Sequence, residues 1–281
     1  MPTQPRIGIT LGDVAGIGPE IVAKALASGK LDKRFDYEVI GDPRTKRRAD
    51  AVDWVVQGAR RCLSGELIAL VTAPISKQLV RDAGYHFEGH TELLAHVART
   101  KRFAMMLVGG PLRVALVTIH VPLAKVPRLL SNRRIVEVIE LSHDVCKRFG
   151  IRRPKIGVAG LNPHAGEGGL LGHEEQRIIV PAIQSAKRKG INVTGPWPAD
   201  TLFHKAYNGE FDAVVAMYHD QGLAPLKMIA FDSGVNLTLG LPFVRTSPDH
   251  GTAFDIAGKG IANPASMIAA INLAAQLTRL R

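Results

Sequence analysis

The 281-residue sequence has only two cysteines, Cys62 and Cys146, and few aromatic residues (5%). Two cysteines so far apart argue against a disulfide framework, which favours a reducing compartment, and the cytoplasm is the expected location. No apolar run reaches the ~18 residues of a membrane span, so we expect no membrane association. Residues 1–6 lack the apolar segment of a secretory signal. These absences exclude membrane-spanning and secreted disulfide-rich proteins.

Basic residues outnumber acidic ones, 36 to 25, which gives a net charge of +11. Such an excess raises the question of nucleic-acid binding. Aromatic residues do not interleave with the basic clusters, so we expect no nucleic-acid partner. Scattered surface charge that attracts an anionic substrate explains the excess better.

Short apolar strands alternate with helical segments along the chain, a pattern typical of α/β layers. The helix after Gly18 has Pro19 at its first position, where a missing amide proton costs nothing. The predicted strands are 6–12, 37–41, 67–72, 104–109, 113–120, 155–161 and 211–218. The clearest predicted helices are 92–99, 133–149, 174–189 and 264–280.

Polar groups follow several of these strands directly, at the edge where α/β sheets bind ligands. Three of them are histidines, and three neutral imidazoles from separate strands can surround one divalent ion. Hydrogen-bonded loop histidines remain the alternative, because the spacings match no short metal motif. The residues at this edge are Thr72, His120, Asn162 to His164, His219 and Asp220.

A second set of residues can bind an anion. Arginine binds phosphate or carboxylate through two nitrogens, lysine adds charge and asparagine a neutral donor. Thr91 lies at a predicted helix start, where it could bind an anion or serve as an N-cap. A solvated lysine and an arginine at a strand end would be the plainer explanation. The set comprises His90, Thr91, Lys227, Asn236 and Arg245.

The segment Asp249–Pro264 combines three glycines with groups that suit a nucleotide. Asp255 can accept hydrogen bonds from a ribose 2′-hydroxyl but would repel a 2′-phosphate, which favours NAD over NADP. A glycine-rich loop before a helix is the simpler alternative. The segment resembles the adenosine-binding loop of isocitrate and isopropylmalate dehydrogenases. The resemblance implies a cofactor site formed by His250, Gly251, Thr252, Asp255 and Asn263.

The whole pattern resembles the 4-hydroxythreonine-4-phosphate dehydrogenase family of pyridoxal phosphate biosynthesis. The matching blocks run from end to end of the chain. They include residues 9–13, 16–20, 71–77, 89–92, 120–123, 161–167, 218–222 and 249–253.

This resemblance implies an isocitrate dehydrogenase-like fold of two α/β domains around a cleft, with the site at a homodimer interface. We expect the first domain to comprise residues 1–118 and 250–281, and the second residues 119–249. The family holds a divalent metal through the histidines matching His120, His164 and His219. Zinc is the preferred candidate, with magnesium, manganese or cobalt as alternatives. The anion-binding set is expected to hold the substrate.

The activity implied is metal-assisted, NAD-dependent oxidation of 4-phosphooxy-L-threonine, with decarboxylation to 3-amino-2-oxopropyl phosphate. Asp200 and Asp220 are candidate proton acceptors or partners that orient the histidines, although helix caps or turns would equally use them. A paralogue that oxidises a four-carbon sugar-acid phosphate or an aromatic cis-dihydrodiol carboxylate remains an alternative. A metal-dependent hydrolase or lyase and a non-catalytic metabolite sensor also remain.

The sequence departs from the family pattern in two places. Val14 stands where the family usually has proline. The stretch from Arg44 to Leu70 is also several dozen residues shorter than expected, so part of the first domain is missing or rebuilt.

Overall fold

A computed structural model describes residues 4–85, 87 and 89–279. The strands are β1 (Arg6–Thr10), β2 (Asp36–Ile40), β3 (Ala69–Thr72), β4 (Ala104–Gly109), β5 (Leu112–Leu116), β6 (Ile156–Ala159), β7 (Val193–Trp197), β8 (Ala213–Ala216), β9 (Val235–Leu239) and β10 (Val244–Pro248). The helices are α1 (Gly18–Ala27), α2 (Asp50–Leu63), α3 (Lys77–Asp82), α4 (His90–Val97), α5 (Val126–Leu129), α6 (Asn132–Arg148), α7 (Val180–Arg188), α8 (Ala199–Tyr207), α9 (His219–Ala230) and α10 (Ala265–Thr278).

The chain forms two compact units, and the first contains Met1–Lys101 and Asp232–Arg281. Its strand order is β2-β1-β3-β10-β9, in which only β9 runs antiparallel to its neighbour. Helix α10 lies on one face, where the Thr246 hydroxyl donates to the Ala270 carbonyl. Helix α2 covers the other face so closely that a Cβ at Gly58 would lie 2.5 Å from Leu70. Both faces of this sheet are therefore covered.

The second unit spans Arg102–Phe231. Its strand order is β4-β5-β8-β6-β7, and only β4 is antiparallel to its neighbour. Because β5, β8 and β6 are parallel, their carboxyl ends meet at one edge of the sheet. The core of this unit includes Leu107, Val114, Leu116, Val214 and Leu226.

The unit boundaries differ from those expected from the sequence at 118/119 and 249/250. Strands β4 and β5 fall in the second unit because β5 pairs with β8. Strands β9 and β10 fall in the first because β10 pairs with β3.

The predicted helix 174–189 is also not uniform. It begins with a π-helical turn over Glu175–Ile179 before α7. Pro181 lies at the start of α7, and because proline has no amide proton it cannot make the usual bond to the preceding turn. The predicted helix 264–280 corresponds to α10, and Leu280 lies outside the described residues, as do Met1 to Thr3.

Both cysteines are free and buried. Burial raises the pKa of the Cys62 and Cys146 thiols to about 12, so neither forms a thiolate readily. No helix in the described part of the chain is long and apolar enough to cross a membrane.

Candidate active site

Three strands of the first unit direct polar side chains to one face of the sheet. Arg245 on β10 lies opposite Thr238 on β9, and Ser247 lies opposite Asn236. Side chains two residues apart on a strand share a face, so Asn236 and Thr238 point the same way as Arg245. On the other side of β10, Arg245 pairs with Leu70, which places Thr72 on that face as well.

Arg245 is buried, with 1% of its surface exposed. Its Nη1 donates to the Thr238 hydroxyl at 3.0 Å and its Nη2 to the Thr72 hydroxyl at 2.6 Å. Both acceptors are neutral, and the Nε has no partner among the described residues. Burial lowers the pKa of the guanidinium to about 9, an effect that Glu92 opposes. The site therefore suits an anionic ligand, which would supply the missing acceptor and countercharge.

His90 and Thr91 lie at the start of α4. Gly89 is the N-cap, with an extended φ of −180°, so Thr91 is a buried helical residue and not the cap. Burial holds the pKa of His90 well below its usual value, and the charge of Arg245 lowers it further, although a hydrogen bond to the Ala73 backbone opposes both. His90 is therefore a neutral imidazole at neutral pH, and its buried Nε2 has no partner within the described chain.

Two further atoms of this face, Asn236 Oδ1 and Thr10 Oγ1, are buried and have no partner in the described residues. Thr10 pairs with Thr72 across β1 and β3, so its hydroxyl shares the face that carries Arg245. Buried polar atoms are nearly always hydrogen-bonded in folded proteins. This group of unpaired atoms therefore fits a polar ligand. The fifth predicted substrate residue, Lys227, lies in the second unit on α9, where its Nζ is 5.7 Å from the centre of the Phe231 ring.

All three predicted metal ligands lie in the second unit. The rings of His120 and His219 are close, with centroids 5.5 Å apart. His219 Nδ1 is 2.7 Å from Asp220 Oδ1, and a carboxylate in that position orients an imidazole and leaves Nε2 for a ligand. The parallel order of β5 and β8 explains why these two histidines meet.

His164 belongs to an unusual left-handed turn. Five consecutive residues, 164 to 168, have φ between 43° and 81°, and three of them are not glycine. The residues just before this turn are fixed by the buried Glu175 carboxylate, which accepts hydrogen bonds from the amides of Leu161 and Asn162 at 2.8 and 2.7 Å. His164 Nδ1 is 2.8 Å from Glu167 Oε2, so this imidazole also has an orienting carboxylate.

The described residues of one chain contain no group of three or more histidine, cysteine, aspartate or glutamate side chains placed to hold a metal. His120, His164 and His219 are therefore not brought together as one such group in the described part of the chain, and the three-histidine site stays a prediction. Of the two candidate aspartates, Asp220 contacts His219, whereas the exposed Asp200 accepts from the Thr201 amide at the start of α8 at 2.9 Å.

The predicted nucleotide loop follows β10. His250 Nδ1 is 3.1 Å from the Gly251 carbonyl, while its Nε2 is buried and has no partner among the residues described. Asp255 and Asn263 are exposed, and Asn263 Oδ1 accepts from the Ala265 amide at 3.0 Å. The Thr252 carbonyl accepts from the Ile17 amide at 2.9 Å, which joins this loop to the turn before α1.

The sequence analysis did not identify Thr10 and Thr238, which share with Thr72, Asn236 and Arg245 the polar face of the first unit's sheet. It also did not identify Arg48, which binds the buried Asp13 carboxylate. Alternation along the strand could have paired Thr238 with Asn236. Nothing local in the sequence connects Arg48 with Asp13, because 35 residues separate them.

Comparisons with known proteins show which family the chain belongs to. Residues 19–274 match the family described as "Pyridoxal phosphate biosynthetic protein PdxA". The chain is 44% identical to a 4-hydroxythreonine-4-phosphate dehydrogenase of Geobacter metallireducens over 329 positions, covering 99% of this chain and 97% of that protein. It is 43% identical to the D-threonate 4-phosphate dehydrogenase of Pectobacterium atrosepticum, covering 96% and 98%.

The alignment with the Geobacter protein is longer than the 281 residues of this chain, so at least 48 of its positions have no counterpart here. The chain is therefore shorter internally than this relative, although the alignment covers nearly all of both.

Solved structures lead to the same family. The crystal structure of the Klebsiella pneumoniae 4-hydroxythreonine-4-phosphate dehydrogenase has a TM-score of 0.87 at 39% identity, covering 98% of this chain and 100% of that one. A terephthalate 1,2-cis-dihydrodiol dehydrogenase of Burkholderia xenovorans has a TM-score of 0.71 at 28% identity, covering 97% and 98%. The isocitrate dehydrogenase of Methylococcus capsulatus, at 14% identity and a TM-score of 0.54 over 98% of this chain and 84% of that one, shares the fold alone. The expected fold and family are confirmed: the chain belongs to the PdxA family of dehydrogenases.

Proposed function

We propose that this protein is an NAD-dependent and divalent-metal-dependent dehydrogenase that oxidises 4-phosphooxy-L-threonine, with decarboxylation to 3-amino-2-oxopropyl phosphate. The similarity to 4-hydroxythreonine-4-phosphate dehydrogenases along nearly the whole chain supports this substrate. The polar face of the first unit supports it from the chemistry of the residues.

The environment of Arg245 is the main structural support for an anionic substrate. This guanidinium is buried, its two Nη atoms bind only hydroxyls, and its Nε has no partner in the described chain. An arginine can bind phosphate or carboxylate oxygens in a fixed geometry. We therefore assign Arg245, with His90, Thr91 and Asn236, to an anionic end of the substrate, and keep Lys227 as a further predicted contact.

For the metal we propose a homodimer in which the two subunits share the ligands. His120 and His219 provide two imidazoles that lie close together, and each chain then needs a third ligand from elsewhere. A metal at this position would act as a Lewis acid on the substrate oxygens. The chain's own residues orient the ligands: Asp220 fixes the ring of His219, and Glu167 fixes that of His164. Zinc remains the preferred metal.

A subunit-mixing experiment tests this arrangement. His164→Ala and His219→Ala each remove one predicted ligand, and each homodimer should be inactive. If the two residues serve one site from different subunits, a mixed dimer contains one intact site and should recover part of the wild-type rate. If both come from the same subunit, each site of the mixed dimer is damaged and no activity returns.

For the cofactor we propose that the loop from Asp249 to Pro264 binds the adenosine of NAD. The unpaired His250 Nε2 and the exposed Asp255 carboxylate are available to a nucleotide. Bound NAD would supply the hydride acceptor for oxidation of the substrate hydroxyl to a keto acid, which would then lose CO2, and a side chain of this protein would accept the hydroxyl proton. Asp220 and Asp200 are the candidate bases.

A second candidate substrate is D-threonate 4-phosphate, because a relative named for that activity is 43% identical. Oxidation of an aromatic cis-dihydrodiol carboxylate is a more distant alternative, since the structure named for it is 28% identical. Initial rates of NAD reduction with all three compounds and a divalent ion would separate them. A rate with 4-phosphooxy-L-threonine no higher than with the other two would contradict the proposed substrate.

A further inference from the structure

Asp13 lies in the turn before α1 and is completely buried. Its carboxylate accepts from the Ala15 amide at 3.1 Å and from Arg48 Nε at 3.0 Å, and Arg48 Nη2 binds the second oxygen. Arg48 therefore binds both oxygens of Asp13, the bidentate geometry that makes arginine–carboxylate pairs strong. A buried carboxylate without such a partner would be costly, so Arg48 is needed to keep this turn in place.

The turn that contains Asp13 packs directly against the predicted nucleotide loop. The Ile17 amide donates to the Thr252 carbonyl at 2.9 Å. The approach is so close that a Cβ at Gly16 would lie 2.7 Å from the same oxygen. Any movement of the Asp13 turn would therefore change the position of Thr252.

Arg48 also reaches the nucleotide loop itself. Its guanidinium carbon is 5.4 Å from the centre of the Phe254 ring, within the range of a cation–π contact. Phe254 immediately precedes Asp255, the residue proposed to bind the ribose. One side chain thus contacts the loop directly and supports it indirectly through Asp13.

The chain around Arg48 is itself fixed. The Thr45 hydroxyl donates to Asp50 at 2.6 Å, and Arg47 pairs with Asp50 and Asp53 at 3.5 and 3.8 Å. These contacts tie the residues before α2 to its first turn. They belong to the stretch from Arg44 to Leu70 that the sequence indicates is shortened in this chain.

We infer that Arg48 is a positioning residue for the cofactor, which holds the loop of Thr252 and Phe254 in its NAD-binding conformation. This inference rests on the proposed function, because it needs the loop to bind NAD. Through Arg48, the shortened segment from Arg44 to Leu70 contributes to cofactor binding. About half of the Arg48 side chain remains exposed (48%), so the contact with Phe254 is accessible to a bound nucleotide.

The test compares NAD binding and substrate kinetics in the full-length protein. Arg48→Ala leaves Asp13 buried without its partner and could unfold the turn, so Arg48→Ala is combined with Asp13→Asn to remove that charge. Phe254→Leu removes only the aromatic ring. Arg48→Lys keeps the positive charge but lacks the planar guanidinium that binds the Asp13 carboxylate through two nitrogens. The matched control is Arg44→Ala, since Arg44 lies in the same segment and pairs with Asp42 on the surface at 3.1 Å.

By calorimetry, the Kd for NAD should rise about tenfold or more in Arg48→Ala/Asp13→Asn and by a smaller factor in Arg48→Lys and Phe254→Leu. The KM for 4-phosphooxy-L-threonine and kcat at saturating NAD should stay within about twofold of wild type. Arg44→Ala should match wild type in all three quantities.

Two results would overturn the inference while leaving the proposed function intact. One is an unchanged Kd for NAD in the double variant. The other is an equal rise in the KM of substrate and cofactor, which would indicate a general structural role. If the unaltered protein bound no NAD, the proposed function itself would fail, and this inference with it.

Discussion

Arg245 Nη2 donates a 2.6 Å hydrogen bond to the Thr72 hydroxyl, although 173 residues separate the two in the chain. The bond joins β10 to β3 at the point where both present polar groups to the same face. Because Thr72 and Thr238 are uncharged, they fix the guanidinium without neutralising it, and the positive charge remains available to an anion.

Replacing Arg245 should therefore weaken binding of a phosphorylated substrate selectively. In Arg245→Ala we expect the KM for 4-phosphooxy-L-threonine to rise about 100-fold, which corresponds to the loss of one or two charge-assisted hydrogen bonds. The dephosphorylated analogue should change by about threefold or less. The control is Arg113→Lys in the second unit, a partly buried arginine that stacks on Phe149 at 4.6 Å. Equal effects of Arg245→Ala on both compounds would remove Arg245 from phosphate binding.

The nucleotide loop should determine the choice between NAD and NADP. Asp255→Arg replaces a carboxylate that repels a 2′-phosphate with a cation that attracts it, so the ratio of kcat/KM for NADP to that for NAD should rise by about 100-fold or more. Asp255→Asn separates the two effects, because it removes the repulsion and adds no attraction, and its shift should be smaller. Unchanged cofactor preference in both variants would show that this loop does not contact the ribose.

Metal content should depend on the histidines of the second unit. His120→Ala and His219→Ala should each lower the metal bound per chain, measured by elemental analysis after gel filtration, to less than about a tenth of the wild-type value. His143→Ala is a matched control, since His143 Nδ1 is 3.4 Å from the neighbouring Asp144 just as His219 is paired with Asp220. Chelation should abolish activity and leave the circular dichroism spectrum unchanged. Full turnover by a metal-free sample would contradict the Lewis-acid role.

His90 should make the protein less stable in acid. Its pKa in the folded state is well below the usual 6.5, whereas the unfolded chain binds a proton near that value. Below about pH 6.5 the unfolded state therefore binds more protons, and the free energy of unfolding falls as the pH falls, by at most about 1.4 kcal/mol per pH unit.

Glutamine does not bind a proton in this pH range, so in His90→Gln the unfolded chain no longer takes up a proton at this position. The slope of the free energy of unfolding against pH between about 6.5 and 5 should therefore be smaller in the variant than in wild type. Urea denaturation at a series of pH values measures both slopes. His143→Gln provides the comparison with a histidine outside the candidate site. Identical slopes for wild type and His90→Gln would mean that His90 titrates normally in the folded protein.

The sequence predicted the apolar strands well and the polar ones poorly. Residues 104–109 are a strand with the predicted bounds, because a buried strand is a short apolar run between breaks. Strand β10 was missed, since Arg245, Thr246 and Ser247 look like surface residues although all three are buried. Their burial is possible only because distant residues such as Thr72 provide hydrogen bonds, and such partners cannot be identified from local pattern.

The same limit applies to the candidate site. The substrate and metal residues that the family motifs indicate stay predictions, and the parallel strand order explains why His120 and His219 lie together. The backbone of His164 was not predictable, because the left-handed turn depends on Glu175, which lies 11 positions farther along the chain. Local sequence could not indicate that conformation in three residues other than glycine.

The position of β10 between β3 and β9 has a consequence for synthesis on the ribosome. Residues 102–231 are contiguous and can begin to fold as soon as they emerge, whereas β3 receives its neighbour only after residue 248 has been made. The amino-terminal strands must therefore wait, with an unpaired edge, through the translation of about 175 residues, on the order of ten to thirty seconds. During this interval the unpaired edge of β3 is open to pairing with other chains.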